Sequence, residues 1–325
     1  MTEKTIVEEK ITLMKVKHIL SNSRLRDLLP LFGLIIIVAV FAVMTDMSII
    51  EARSINLILS QVYVLMIAST GVFLVMTIGG LDFSQGSILG ISSIVISYLS
   101  FYSIPLAVIA GILAGALIGA CNGFFHVKFK IPSFIVTICT MYLFRGLCAY
   151  MTTDAPVAAK ITITELNLTW LKISLTVAVL LIVYFIFTFT KLGTCLKAIG
   201  AGETAARFSG IRTNLTKFLI FTAAGAITGF AAFLNVIKVG SITATAGNQL
   251  ETMILIALVL GGLPISGGAR VRFSNIVIGT LIYCVLNNGL VMLGYDTAIQ
   301  QFIKGTIFLI VVALTIDKKS LHIIK

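Results

Sequence analysis

Apolar runs recur along the whole chain, separated by short polar stretches. By hydropathy they fall near Leu28–Met44, Ile55–Ile78, Ser87–Tyr102, Ile104–Phe125 and Ile131–Tyr150, and then Leu171–Thr190, Lys217–Ile237, Gln249–Ile265, Ile276–Leu293 and Gln301–Ile316. A helix rises 1.5 Å per residue, so about 20 apolar residues cross a hydrocarbon core roughly 30 Å thick. The pattern predicts an all-α, polytopic transmembrane helix bundle of about ten spans. The third and eighth runs are short for a full crossing, and each is expected to be broken or shielded by protein. The first run ends at Thr45-Asp46-Met47 without a small-residue cleavage site, so it is read as a retained anchor helix rather than a signal peptide.

Composition agrees with this pattern. The chain is 58% hydrophobic and 11% charged, with mean hydropathy +1.08, whereas soluble domains carry roughly a quarter charged residues. The net charge of +11 lies in loops beside the spans, where Lys and Arg hold loops on the inner face, so no nucleic-acid partner is implied. Lys4, Lys10, Lys15, Lys17, Arg24 and Arg26 precede the first run. Alternation then puts Lys128/Lys130, Lys191 through Lys217, Arg270/Arg272 and Lys318, Lys319 and Lys325 on the same side. That places both termini in the cytoplasm. The expected organisation is a cytoplasmic segment 1–27, a transmembrane domain 28–316 with a cytoplasmic segment 191–217, and a tail 317–325. The five cysteines (Cys121, Cys139, Cys148, Cys195, Cys284) form no CxxC pair, and no disulfide framework, metal site or cofactor is implied.

Glycine placement carries the next layer. Gly111, Gly115 and Gly119 recur at every fourth position and Gly225 and Gly229 repeat the spacing, the small-xxx-small mode of membrane helix packing. Three stretches break the hydropathy. In Gly79-Gly80-Leu81-Asp82-Phe83-Ser84-Gln85-Gly86, the glycines end a helix and Asp82 with Gln85 reads as a capping box, with a solute path as the sharper alternative. Lys197 through Ile211 holds a short amphipathic turn or two (Ala205, Ala206, Phe208, Ile211), too short to stand alone in water and in need of a partner surface. Gly261-Gly262-Leu263-Pro264-Ile265-Ser266-Gly267-Gly268 cannot continue a helix. Gln61, Asn122, Arg145, Asn235, Asn287, Asn288 and Lys304 are polar groups inside spans, read as interhelical hydrogen bonding where they are amides.

The chain contains no phosphate-binding loop of the G-x-x-x-x-G-K-[ST] type, no H-E-x-x-H and no Ser/His/Asp arrangement. It is therefore read as a transport component rather than an enzyme, with any energy supplied from outside. An ion-coupled secondary transporter is the alternative, which would call for functional intramembrane acids. A lone channel-like facilitator and a membrane-embedded enzyme are the weaker readings.

From about residue 55 to 316 the chain resembles the permeases of the ribose/galactoside branch of bacterial ABC importers. The resemblance rests on Gly79-Gly80-Leu81-Asp82-Phe83-Ser84-Gln85-Gly86, Asn122-Gly123, Ile131-Pro132-Ser133-Phe134-Ile135-Val136-Thr137, Thr140-Met141, Arg145-Gly146, Ala198 through Ile211, and the pairs Gly261-Gly262 and Gly267-Gly268. It implies a half-transporter in the bacterial inner membrane that pairs with a second permease copy or paralogue. Cytosolic ATP-binding subunits, an extracytoplasmic solute-binding protein and a sugar-like solute complete the expected system. The segment matching 198–211 implies a coupling element, carried here by Gly200, Glu203, Ala205, Ala206, Arg207 and Gly210. Gly79, Gly80, Asp82, Ser84, Asn122, Asn288, Gly261 and Gly262 are the expected path residues or structural turns. Two departures stand out: Gly202 replaces a common Asn, and Ala269-Arg270-Val271-Arg272 replaces a small, glycine-containing stretch.

Overall fold

The computed structural model describes residues 23–315. The expected tails, the basic residues Lys4 to Lys17 and Lys318 to Lys325, and the cytoplasmic placement of both termini lie outside the described residues. Every apolar run forms a helix: α1 (Ser23–Met44), α2 (Ala52–Thr77), α3 (Gln85–Leu99), α4 (Ile104–Phe129), α5 (Ser133–Met151) and α6 (Thr169–Phe189). Two shorter helices follow, α7 (Lys191–Ala201) and α8 (Glu203–Phe208). The chain then resumes with α9 (Thr213–Val239), α10 (Leu250–Leu260), α11 (Ser274–Met292) and α12 (Thr297–Thr315). Six of these (α2, α4, α5, α6, α9, α11) are long and apolar enough to cross a membrane, and four shorter apolar helices lie within α1, α3, α10 and α12. The fold is an all-α membrane bundle.

Helix ends follow local chemistry. α4 starts where the Ser103 side chain accepts the Leu106 N–H at 3.3 Å, with Pro105 in the first turn, and Pro132 immediately precedes α5. α2 ends in a Schellman turn, with Gly79 at φ 78°, its N–H on Met76 O at 2.9 Å and the Gly80 N–H on Val75 O at 3.1 Å. α10 ends the same way at Gly262 (φ 89°), whose N–H donates to Val259 O while Leu263 donates to Leu258 O. Within helices, Thr70, Thr77, Thr140 and Thr280 return their hydroxyls to the carbonyl four residues back. Those bonds satisfy the threonine hydroxyls inside the bundle, whereas the buried hydroxyls of Tyr63, Ser69, Ser92 and Ser97 have no partner among the described residues.

α2 is the axial helix, with 78% of its apolar window buried, against 28, 22 and 17% for α4, α5 and α6 at the periphery. α3 and α10, the two short runs, are shielded by protein: most of their residues are buried. α4 and α9 form the most extensive helix pairing, and their glycine faces meet each other. A Cβ at Gly115 would run into the Gly225 carbonyl oxygen, one at Gly229 into the Gly111 carbonyl, and one at Gly119 into the Phe221 carbonyl. Two residues from the α5–α6 connection, Val157–Ala158, pair with two from the α9–α10 connection, Ser241–Ile242, as a two-stranded antiparallel ribbon with Val157 opposite Ile242.

Candidate functional site

The connection between α2 and α3 does not leave the bundle. Leu81 donates its N–H to Ser133 Oγ at 3.0 Å and Phe83 to Thr137 Oγ1 at 3.1 Å, so the extended strand of chain is pinned along the first turns of α5. Asp82, 1% exposed, accepts from the Ser84 N–H (2.9 Å) and Oγ–H (2.6 Å) through Oδ1 and from the Gln85 amide (2.6 Å) through Oδ2. The expected capping box is absent: Ser84 is the N-cap residue of α3 and no side chain caps the helix, while Asp82 turns back onto the Ser84 N–H and hydroxyl and bonds the Gln85 side chain. Ser84 Oγ accepts from Asn122 at 2.8 Å, Asn122 accepts from Thr140 at 2.7 Å, and Gln85 Oε1 accepts from Thr228. Asp82, Ser84 and Asn122 are therefore one buried network tying α3, α4, α5 and α9 together.

Removing the carboxylate tests that tie. Asp82→Ala leaves three buried donors without an acceptor, and each such group costs about 1–3 kcal/mol. A marked fall in thermal midpoint of the detergent-solubilised protein is expected. Asp82→Asn is expected to be milder, because the Gln85 amide can turn to face it. Equal midpoints for Asp82→Ala and wild type would show that the network contributes little.

Next to this network the first turns of α3 and α10 meet. A Cβ on Gly86 would collide with the Glu251 carboxylate and the Gly247 carbonyl. Glu251 pairs with Arg145 of α5 at 3.2 Å, their side chains 10% and 23% exposed, and Arg145 also donates to Asn248 Oδ1 at 2.9 Å. Glu251 escaped the sequence reading because it opens an apolar run and its partner lies 106 residues away. The only local signal is Gln249-Leu250-Glu251 at the edge of one of the two runs short for a full crossing.

The third assembly joins all three hydropathy breaks. Gly268 N–H donates to Thr77 O at 3.0 Å, and a Cβ on Gly200 would strike both the Thr77 carbonyl and the Gly268 backbone. Gly267 (φ 67°) lies against Met76 and Thr77 carbonyls. The end of α2, α7 and the loop after α10 are thus in backbone contact, which only glycine permits. α7 and α8 form two short helices bent at Gly202, and Gly210 (φ 84°) closes α8. Glu203 pairs with Lys217 of α9 at 2.6 Å.

On α8 Ala206 is buried, while Glu203, Ala205 and Arg207 face out and Phe208 is 87% exposed. This corrects the amphipathic turn expected from the sequence: Phe208 does not share the inward face of Ala206, because α8 is closed by Gly210 one turn after Ala206 and lies mainly against α7, with Ala206 as its buried side chain. Beside it an open cavity of about 430 Å³ is lined by His126, Lys130, Pro132, Glu203, Arg207 and Lys217, among others.

Gly261 and Gly262 form the turn after α10, with Gly261 against the Asn275 carbonyl and Gly279 of α11. Asn288 lies apart from the Asp82 network. Its amide exchanges hydrogen bonds with Gln61 of α2 at 3.2 and 3.1 Å.

Residues 54–312 match the family model described as branched-chain amino acid transport system / permease component. The chain is similar to the ribose import permease protein of Escherichia coli (strain K12), 30% identical over 302 residues that cover 89% of this chain and 93% of that protein. It is also similar to the ribose import permease protein of Bacillus subtilis (strain 168), at 32% over 314 residues, 94% of this chain and 96% of that one. The D-allose transport system permease protein of Escherichia coli (strain K12) is 29% identical over 293 residues, 87% and 89% of the two chains. No solved structure matches the chain.

Proposed function

The chain belongs to the family of transport-system permease components, and from that premise we propose that it is the membrane subunit of an ATP-driven importer that moves a sugar-like solute inward. The observation that carries the proposal is near-full-length similarity to ribose and allose import permeases, joined to an all-α bundle of long apolar helices. It is a multi-pass inner-membrane protein of a sugar ABC importer. The ion-coupled alternative is not favoured.

The finer reading is ours. Ten spans cross, counting the four short apolar helices with the six long ones, and the basic loops put residues 1–27, 191–217 and 317–325 in the cytoplasm around a permease domain at 28–316. The chain has no nucleotide-binding motif, so ATP hydrolysis belongs to cytosolic partner subunits. A second permease copy or paralogue and an extracytoplasmic binding protein complete the assembly.

Coupling runs through Gly200, Glu203, Ala205, Ala206, Arg207 and Gly210. α8 meets the motor, and α7 passes its displacement to the ends of α2 and α10 through the Gly200, Thr77 and Gly268 contact. Such an arrangement suits alternating access, in which the partner's energy biases two states of one bundle. Gly79, Gly80, Asp82, Ser84, Asn122, Gly261 and Gly262 act as turns and ties, and Asn288 borders the path.

The test is purification of the tagged chain from its own host membranes in mild detergent. A cytosolic ATPase subunit co-purifying at fixed stoichiometry is expected. Isolation of the chain alone, competent for uptake without ATP, would overturn the proposal.

A further inference from the structure

Lys304 is the one cation of α12 within the described residues and is 8% exposed. Its ammonium donates to Asn287 Oδ1 at 2.9 Å and lies 5.8 Å from the centre of the Tyr283 ring. Among the described residues no carboxylate pairs with it, the two ion pairs being Arg145–Glu251 and Lys217–Glu203. Asn287 in turn donates to Gln61 Oε1 at 3.5 Å, and Gln61 and Asn288 exchange bonds. Asn288 also donates to the Cys284 carbonyl at 2.8 Å. With spans oriented as proposed, these side chains lie roughly 6 to 14 Å inside the outer helix ends, at 1.5 Å per residue.

Two features set this cluster apart from interhelical glue. First, it is rich in donors. An ammonium carries three N–H groups and an amide two, yet Lys304 has one acceptor and Gln61 Nε2 and Asn287 Nδ2 one each. What the cluster lacks is acceptors. Second, Gln61, Asn287 and Asn288 are only partly buried, at a depth where polar groups face protein or a water-filled cavity and not lipid.

We propose that Gln61, Asn287, Asn288 and Lys304 form a recognition site in the outer half of the translocation path, donating hydrogen bonds to the hydroxyl and ring oxygens of a sugar-like solute. The site rests on the sugar-importer reading and adds to it a selective element inside the permease. A polyhydroxylated ligand supplies the missing acceptors and leaves no net charge behind when it moves on. Lys304 is the anchoring donor, because hydrogen bonds to a charged group are about twice as strong as neutral ones.

The experiment is uptake by proteoliposomes containing the whole complex, with its own ATPase subunits and binding protein. Radiolabelled D-ribose is compared with 2-deoxy-D-ribose, a sugar lacking one hydroxyl. The same binding protein serves every variant, so its own selectivity cancels from the comparison. Lys304→Met, and Lys304→Gln as a variant that keeps a donor toward Asn287, are each expected to lower ribose uptake about tenfold and to lower the preference for ribose over the deoxy sugar relative to wild type. A variant that slows both sugars by the same factor shows a structural role and overturns the site, as does one with unchanged uptake. If wild type imports neither sugar, nor D-allose nor D-fructose, the sugar-importer reading falls and the site falls with it.

Discussion

Gly115→Leu is expected to abolish the folded protein. A side chain at Gly115 meets the Gly225 carbonyl oxygen and lies 3.0 Å from the backbone of Gly229, and neither obstacle is a side chain that can rotate away. Gly111 and Gly119 hold the same helix pair together on either side, so α4 cannot tilt to open space at one point without losing the others. Overpacking a core ordinarily costs about 1–3 kcal/mol and occasionally more, but those figures describe side chains that can shift. Here two backbones must part, and with them goes the close packing that membrane helices use in place of a hydrophobic driving force. Gly146→Leu in α5 is the matched control, because nothing lies within 4 Å of its Cβ direction. Size-exclusion of detergent-solubilised fusions reads the outcome: Gly146→Leu as a wild-type-like monodisperse peak, Gly115→Leu as aggregate or nothing. A monodisperse Gly115→Leu peak would show that the α4–α9 seam does not organise the bundle.

The same seam shows what one sequence can and cannot disclose. Four-residue glycine spacing names the two faces, since a 3.6-residue period stacks such positions on one side, but it does not say that they face each other. Helix positions were legible for the same reason. The run Ile104–Phe125 is α4, Ile104–Phe129, and the break at Gly261-Gly262-Leu263-Pro264 ends α10 at Leu260. Pairings across the bundle were not. Arg145 and Glu251, or Thr77, Gly200 and Gly268, are separated by about a hundred residues or more in nearly every combination, and no local period encodes their meeting. Direction on a very short helix was equally hidden. With six residues in α8, the composition fits a face turned either way, and only tertiary packing puts Ala206 inward and Phe208 outward.

That outward face supports the other large effect. Phe208→Ser combined with Arg207→Glu is expected to strip the ATPase from the complex and end ATP-driven uptake. An aromatic ring 87% exposed at the end of α8 is costly to leave in water unless a partner covers it. Aromatic and Arg side chains are also the commonest anchors of protein interfaces, worth about 2–4 kcal/mol each when removed. At 1.4 kcal/mol per tenfold, either loss alone weakens docking about 30- to 700-fold. The bundle itself should not suffer, because both side chains are exposed while Ala206 is the buried residue of α8. Thermal midpoints of the isolated chain should therefore match wild type while co-purified ATPase falls below detection. If the double variant retained its ATPase, the motor would have to dock elsewhere, and the cavity beside α8 with Lys130 and Lys217 on its walls would be the next surface to alter. A variant that kept its ATPase and lost only uptake would divide docking from transmission, and transmission would then rest on α7, where Gly200 abuts the end of α2.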